Sequence, residues 1–278
     1  MTVTSDRFLA AALQMRSTSD AAANLRQAEE LVARAAAYGA RLVATPENTN
    51  YLGPHDEKVR RAEPLGGPTV SRFAELAARH GVVLLLGSFN ERVDGDPRRC
   101  ANTSVLFGPD GAVLATYRKI HLFDVDVPGG VTFRESATVV PGEETAVAET
   151  ALGRVGLSIC YDLRFGELYR RLAADGATLV TVPSAFTLAT GKDHWHALLR
   201  ARAIETQCWL VAPAQVGSHD DEGLKESYGH AAIVDPWGAV AADAGAAGPG
   251  LALAEVEPAR AAAARRAIPV AGHRRLPG

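Results

Sequence analysis

Short apolar runs alternate with helix-patterned stretches along the chain, and this alternation restricts the possible folds more than any other feature of the sequence. Three apolar runs in the first third have the length of buried strands: 8–14, 41–45 and 82–88. The stretches between them repeat apolar residues at helical spacing. The first ends near Gly39, and the second begins at Gly67-Pro68 and ends at Gly81. Such a chain is expected to form a layered α/β domain.

The middle and last parts of the chain add hairpins to this pattern. Apolar stretches joined by short Gly- and Pro-containing turns predict three of them: 100–117, 144–159 and one around 235–238. Helices are expected at 166–175 and 191–207, and buried strands at 177–184 and 208–214. Because hairpins pair strands antiparallel, we expect mixed sheets.

The chain shows no internal boundary. It has no Ser/Gly linker, no block of like charge and no repeat of about 20 to 50 residues, so residues 1–278 are predicted to form one domain. The alanine-rich stretch 239–266 is expected to supply a last strand. Residues 258–278 are expected to form a C-terminal arm that needs a partner surface.

Charge and hydropathy exclude several classes of partner. The net charge of −3 gives no reason to expect nucleic acid. No apolar run approaches the roughly 18 residues that span a bilayer, and the start lacks the pattern of a signal peptide. Three cysteines, an odd and small number, argue against a disulfide framework. We therefore expect a soluble cytoplasmic protein with no membrane partner.

Metal and cofactor motifs are missing. The eight histidines contain no H-E-x-x-H, and no C-x-x-C occurs. His194 and His196 lie about 200° apart around a predicted helix and cannot share an ion. Neither phosphate-binding glycine motif nor G-x-S-x-G is present. The sequence thus predicts no metal and no organic cofactor.

Cys160 is the strongest candidate for chemistry. It follows the apolar run 154–159 and precedes a predicted helix, so its sulfur should lie at the carboxyl edge of a strand. A helix N-terminus and the nearby Arg164 are expected to lower its thiol pKa. A buried structural cysteine remains the alternative, and it is the preferred interpretation for Cys100 and Cys208.

Two further residues could take part. Glu47 comes directly after the apolar run 41–45 and Pro46, where a carboxylate could accept a proton; an exposed loop glutamate is the alternative. Lys119 follows an apolar strand, and in isolation it is a surface lysine. Spacing alone does not bring these residues to Cys160.

Five separated segments resemble the nitrilase superfamily of carbon–nitrogen hydrolases: TPENTNY, YRKIHLFD, GLSICYDLRF, PSAFTLATGKDHWHALLRARAIETQ and SYGHAAIVDPWG. They occur in the family's order, and the similarity extends from about Leu9 to Gly238. Within the superfamily they are similar to the Nit amidase branch, whose members act on deaminated glutathione or α-ketoglutaramate. Tyr161-Asp162 after the cysteine resembles an amidase and differs from a nitrile-converting relative.

The resemblance implies a fold and a reaction. The fold is a single-domain, four-layer α-β-β-α sandwich with mixed sheets, assembled as a homodimer or a higher even-numbered oligomer. The reaction is hydrolysis of a small primary amide to the acid and ammonia through a thioester. Glu47 is then the general base, Lys119 the cation beside the reacting carbonyl, Cys160 the nucleophile and Glu135 a supporting carboxylate, while the Tyr161 N–H stabilises the oxyanion.

Substrate contacts and departures follow from the same resemblance. Arg164 is suited to hold a distal carboxylate, although a salt bridge to Glu167 is the alternative. Phe186, Thr187 and Thr190 are expected at the same end of the pocket. His194 and Trp195 are expected to anchor a helix at a subunit contact. The sequence departs from the family pattern at two positions that affect pocket shape: Thr45 and Gly166.

Two other functions stay open at this point. An N-carbamoyl amino acid amidohydrolase would use the same triad on a different amide. A non-catalytic interaction protein could be built on the same scaffold, although it would need none of Glu47, Lys119 and Cys160. A redox sensor is disfavoured, because no second cysteine lies close to Cys160 in sequence.

Overall fold

The computed structural model describes residues 7–126, 132–220 and 226–275. The beginning of the chain and the last three residues of the expected C-terminal arm lie outside these ranges.

Strands and helices alternate through the described chain. The strands are β1 (Phe8–Met15), β2 (Ala40–Ala44), β3 (Val83–Arg92), β4 (Cys100–Phe107), β5 (Val113–Arg118), β6 (Asp124–Asp126), β7 (Thr132–Arg134), β8 (Val139–Val140), β9 (Ala146–Thr150), β10 (Gly153–Leu157), β11 (Leu179–Thr181), β12 (Trp209–Ala212), β13 (Ala214–Ser218), β14 (Glu226–Tyr228), β15 (Ala232–Val234), β16 (Val240–Asp243) and β17 (Gly250–Val256). The helices are α1 (Ala21–Ala37), α2 (His55–Arg60), α3 (Pro68–His80), α4 (Gly166–Ala174), α5 (Leu188–Thr206), α6 (Pro258–Ala267) and α7 (Val270–His273).

Two mixed sheets form the body of the protein. The larger has the order β14-β13-β1-β2-β3-β4-β5, with β17 beside β1 and β8 beside β4. In it β1 runs parallel to β2 and antiparallel to β17. The smaller has the order β16-β15-β12-β11-β10-β9. The expected hairpins are the β4–β5, β9–β10 and β15–β16 pairs, so the prediction of mixed sheets is confirmed.

The two faces of β1 show how the layers stack. Ala10 and Ala12 belong to the core cluster that also contains the buried residues of β10, β11 and β12. Ala11 and Leu13, which point the opposite way, pack with residues of α1 and α3. Because α4 and α5 also contribute to the first cluster, the order of layers is helix, sheet, sheet, helix. The four-layer α-β-β-α sandwich is confirmed.

Local signals set the helix ends. Pro68 occupies the first turn of α3, and Gly81 ends that helix in the left-handed region at φ 61°. Helix α5 begins at Leu188, three residues before the predicted start at residue 191. The Thr187 side chain caps this helix by accepting a hydrogen bond from the Thr190 N–H. The short helix α2 and the β6–β7 pair had no expectation in the sequence analysis.

The C-terminal region, where the sequence predicts an arm, begins with a helix. Two strands, β16 and β17, precede it, and α6 packs on this chain itself. Gln207 Nε2 donates to the carbonyls of Ala264 and Ile268 at 2.9 and 2.8 Å. Arg265 donates to the carbonyl of Ala177 at 2.7 Å. Buried Gln207 and half-buried Arg265 therefore hold the C-terminal part of α6 against the body of its own chain.

No helix in the described ranges is both long enough and apolar enough to cross a membrane.

Candidate active site

Cys160 lies on a sharp turn at the edge of the smaller sheet. The strand β10 ends at Leu157, and a 3₁₀ turn spans Cys160–Arg164. Cys160 itself has φ 49°, a conformation that residues with a side chain adopt only when the surroundings enforce it. Its N–H donates to the Pro183 carbonyl at 2.9 Å, whereas the Tyr161 N–H has no acceptor among the described residues. The turn thus presents the sulfur with one open N–H beside it.

Asp162 holds this turn in place from inside the core. Its fully buried carboxylate accepts from the Ile159 N–H at 2.9 Å and from the Tyr117 hydroxyl at 2.7 Å. The other oxygen accepts from the His121 N–H at 3.0 Å, and His121 Nδ1 lies 2.7 Å from it. Four contacts on one buried carboxylate make the position of the Cys160 turn rigid.

Glu47 is buried, and the exposed-loop alternative is wrong. The side chain is 3% exposed and follows β2 at the edge of the larger sheet. One oxygen accepts from Asn102 Nδ2 and from Lys119 Nζ, both at 2.9 Å. The other accepts from the Ala185 N–H at 2.9 Å. Donors from three separate segments of the chain therefore fix the carboxylate.

Lys119 joins two carboxylates, so the surface-lysine alternative is also wrong. Its Nζ donates to Glu135 Oε2 at 2.9 Å and Oε1 at 3.1 Å, in addition to Glu47. Burial alone would lower the pKa of Lys119, but the charges of Glu135 and Glu47 outweigh burial and raise it well above its usual value. The ammonium stays charged at neutral pH.

Glu135 is the second carboxylate that binds Lys119. It is 4% exposed and accepts from the Phe123 N–H at 2.6 Å. Burial would raise its pKa, but the Lys119 ammonium, with a smaller contribution from Lys58, holds the pKa of Glu135 below its usual value. Glu135 is therefore an anion that offsets the Lys119 charge.

The expected low pKa of the Cys160 thiol is wrong. Burial is the largest cause of the change, and the neighbouring Glu47 carboxylate adds to it; together they raise the pKa well above its usual value despite the opposing Lys119 charge. Arg164 is not among the causes. A resting thiol at this position keeps its proton, and nucleophilic attack then requires a base.

The other two thiols are not among the described residues that line the site. Cys100 and Cys208 are completely buried, and burial raises the pKa of each. Cys208 Sγ lies 3.2 Å from the Ala177 carbonyl, under α6. Both fit the interpretation of packing residues.

All the residues expected from the sequence at the site line one cavity: Glu47, Lys119, Glu135, Cys160, Tyr161, Arg164, Phe186, Thr187 and Thr190. The Arg164 guanidinium lies over the Phe186 ring at 5.2 Å and over the Tyr161 ring at 5.8 Å. Its nitrogens lie 3.3 Å from His194 Nδ1, and the alternative salt bridge to Glu167 is not present among the described contacts.

Sequence reasoning missed several residues of the site. Asn102 bridges the two carboxylates, donating to Glu47 and, at 3.3 Å, to Glu135. A polar Asn-Thr-Ser run inside the apolar strand β4 was the signal available for it. Lys58 and Asn48 also line the cavity. Nothing in the sequence pattern indicates Asn48, whose unusual backbone conformation, with φ 57°, is visible only in the structure.

Two residues of α5, Trp195 and His196, make contacts within the chain that the sequence did not indicate. Trp195 is fully buried and donates from Nε1 to the His230 carbonyl at 2.8 Å, so it anchors α5 on its own chain. His196 does not meet His194, as expected. It instead meets His230 and Asp243, and one possible ligand atom of each of the three lies within 4.8 Å of the others. In the structure both imidazoles are hydrogen-bonded to the Asp243 carboxylate.

The arrangement has the parts that acyl transfer requires. A thiol, a fixed carboxylate and a buried ammonium line the same cavity, with an open backbone N–H next to the thiol in the chain. Such a set can pass a proton from sulfur to a carboxylate and stabilise a developing oxyanion.

Comparisons with known proteins agree in sequence and in fold. Residues 9–266 match the carbon–nitrogen hydrolase family. A deaminated glutathione amidase from Synechocystis is 47% identical over 269 residues, which cover 96% of this chain and 98% of that protein. The crystal structure of the Caenorhabditis elegans NitFhit protein has a TM-score of 0.90 at 39% identity, covering 97% of this chain and 65% of that one. Saccharomyces cerevisiae Nit3, a member of branch 10 of the nitrilase superfamily, has a TM-score of 0.87 at 32% identity, covering 99% of both chains.

Proposed function

Because this chain belongs to the carbon–nitrogen hydrolase family, we propose that it is a cysteine amidase that hydrolyses deaminated glutathione or the ω-amide of a related α-keto acid. One observation carries the catalytic part of the proposal. The buried Lys119 ammonium is held between Glu47 and Glu135 in the same cavity as the Cys160 thiol.

In the first half of the reaction Cys160 is the nucleophile. Glu47 accepts the thiol proton as the sulfur attacks the amide carbon, and the C=O electron pair moves to oxygen. The Lys119 ammonium and the Tyr161 N–H stabilise the resulting oxyanion. The raised thiol pKa fits this assignment, since the proton leaves only when the base takes it during attack.

In the second half Glu47 returns the proton. Its carboxylic acid protonates the leaving nitrogen, the C–N bond breaks, and a thioester remains on Cys160. Glu47 then accepts a proton from water, whose oxygen attacks the thioester carbon. The C–S bond breaks, the proton passes to sulfur, and the carboxylic acid is released.

The leaving group depends on the substrate. An ω-amide of an α-keto acid releases ammonia, whereas deaminated glutathione releases an amine, because its scissile amide joins the α-keto acid to a dipeptide. The acyl half carries a carboxylate in both cases. Arg164 is assigned to that distal carboxylate, since a guanidinium can bind it through two parallel hydrogen bonds. Phe186, Thr187 and Thr190 complete the same end of the pocket.

We also propose the setting in which the enzyme works. All three cysteines are free thiols, as in proteins of a reducing compartment, which supports the cytoplasm. The proposed assembly is a homodimer or a higher even-numbered oligomer, which size-exclusion chromatography with light scattering would test. A mass equal to one chain would contradict it.

The test of the function is turnover by the purified protein. The panel contains deaminated glutathione, α-ketoglutaramate and N-carbamoyl amino acids, with release of ammonia or amine as the readout. We expect hydrolysis of the first two, loss of at least a thousandfold in Cys160→Ala, and a KM raised about tenfold or more in Arg164→Met. Turnover of carbamoyl compounds alone would replace the proposed substrate class. Absence of all turnover would favour an interaction protein.

A further inference from the structure

Lys58 is a buried cation for which the proposed mechanism has no use. It lies on the short helix α2, is 8% exposed and lines the same cavity as Cys160. Its ammonium makes no ion pair and no side-chain hydrogen bond with any described residue, whereas Lys119, which is also buried, has two carboxylate partners. A buried charge without a partner is unfavourable, so one that persists in a pocket points to an anion that enters the pocket.

The charges of the described residues that line the cavity do not balance without such an anion. Among its permanently charged lining residues are two carboxylates, Glu47 and Glu135, and three cations, Lys58, Lys119 and Arg164. The carboxylates are already paired with Lys119 at 2.9 Å. With the thiol protonated, one positive charge is left over. A substrate that carries one carboxylate on its acyl half would neutralise it.

Lys58 and Arg164 differ in their surroundings. Arg164 lies over two aromatic rings and beside His194. Lys58 comes from the other sheet's side of the cavity, through the loop after β2, and its charge acts on Glu135 and Cys100. The two cations therefore reach the cavity from different parts of the fold and can bind different atoms of one ligand. An α-keto acid end presents a carboxylate and an adjacent keto oxygen, which together offer enough acceptors for both a guanidinium and an ammonium.

We propose that Lys58 is a substrate-binding cation that pairs with the acyl-half carboxylate of the amide, together with Arg164, and so selects anionic α-keto acid amides over neutral amides. This inference rests on the proposed amidase function and adds the determinant of its substrate charge. Lys58 binds the substrate and takes no part in the proton transfers.

The competing explanation is that Lys58 acts only as a counter-charge for Glu135. The two explanations predict different kinetics. Loss of a counter-charge would disturb Lys119 and slow turnover of every amide alike, mainly in kcat. Loss of a substrate contact would raise KM, and only for substrates that carry the carboxylate.

The test compares Lys58→Met with Lys192→Met, a matched loss of charge at an exposed lysine on α5 outside the cavity. The substrates are succinamate and its neutral methyl ester. For Lys58→Met we expect KM for succinamate to rise about ten- to hundredfold, the range for loss of a hydrogen bond to a charged group. Its kcat should change less than threefold, and kcat/KM for the ester less than twofold. Lys192→Met should match the wild type on both substrates.

Binding supplies a readout that does not depend on turnover. Calorimetry should show α-ketoglutarate, the acyl product of deaminated glutathione, binding about ten- to hundredfold more weakly to Lys58→Met than to the wild type. Lys58→Arg keeps the charge and should retain binding within about fivefold. It also serves if the Met variant fails to fold.

Two outcomes would overturn the role of Lys58. One is an equal loss of kcat/KM on succinamate and on its ester. The other is unchanged α-ketoglutarate affinity in a folded Lys58→Met protein. Neither touches the proposed function, which is judged separately from whether the wild type hydrolyses deaminated glutathione and α-ketoglutaramate.

Discussion

Replacing Lys119 by methionine tests the central contact of the site. Methionine has nearly the length of lysine and no charge, so the change removes the ammonium and largely keeps the packing. The two carboxylates that it separates, Glu47 and Glu135, each lie 2.9 Å from the same nitrogen and are therefore within about 6 Å of each other. Without the cation they face each other as buried like charges.

The structure sets the size of both effects. At an effective dielectric constant of about 20, two unit charges about 6 Å apart repel by about 3 kcal/mol. Breaking a buried ion pair on one side costs about 3–5 kcal/mol, so we expect the free energy of unfolding to fall by that amount. Loss of one oxyanion-stabilising group lowers kcat by about a hundred- to thousandfold.

The assay is urea unfolding at neutral pH, with kcat measured on the substrate that the wild type hydrolyses. A second variant, Glu135→Gln in the Lys119→Met background, removes one of the repelling charges. We expect it to recover about 2–3 kcal/mol of stability without restoring kcat, because the oxyanion still lacks its cation. If Glu135→Gln has the same effect on stability in both backgrounds, or if Lys119→Met costs less than about 1 kcal/mol, the charge argument is wrong.

Three further predictions concern the thiols and the C-terminal helix. Cys160→Ala should abolish amide hydrolysis while Cys100→Ala and Cys208→Ala keep kcat within about threefold, measured by product release; loss of turnover in either of the latter would contradict their assignment as packing residues. The folded pKa of Cys160 lies above the ordinary value of 9.0, so its contribution to stability is complete below pH 9.0 and is lost as pH rises further. Urea midpoints should then fall more steeply above pH 9.0 in the wild type than in Cys160→Ala, and parallel curves would refute the raised pKa. Gln207→Ala removes two hydrogen bonds to the C-terminal end of α6 and should lower the free energy of unfolding by about 1–3 kcal/mol. It should also speed proteolysis after 257; unchanged cleavage would show that α6 is held by other contacts.

The elements that sequence predicts well are those with a strong local signal. The run 82–88 is apolar enough to be a strand buried on both faces, and β3 covers most of it with every one of these residues buried. Pro68 and Gly81 mark the ends of α3 because each imposes a backbone conformation by itself. Such signals need no knowledge of what lies across the core.

The elements that were missed lack that kind of signal. The helix α2 has one buried residue, Lys58, and so shows no apolar periodicity. The C-terminal helix α6 is rich in alanine on all sides, and its contacts with Gln207 and Ala177 show where it packs. The position of these two helices depends on the surface of another element against which they pack. Their own residues do not encode that surface.

The candidate site divides in the same way. The motifs around Glu47, Lys119 and Cys160 indicate the chemistry that each residue type can perform, and their resemblance to a family extends to the supporting Glu135. Whether Glu47 and Lys119 were surface residues stayed open, since burial depends on strands that are distant in sequence. The sign of the Cys160 pKa shift was predicted wrongly for a related reason: a local view counts Arg164 and a helix end, but burial and the Glu47 carboxylate dominate.

The sequence by itself determined the layered α/β class, the reacting residue types and the family, because hydrophobic periodicity and short motifs are properties of neighbouring residues. Only the tertiary structure decided which charges meet. Coulomb energy and desolvation depend on distance and burial in three dimensions. These place Lys119 between two carboxylates and leave Lys58 without a carboxylate partner among the described residues. The chemistry of the site could be anticipated from the chain, whereas its charge balance, and the substrate charge that it favours, required the fold.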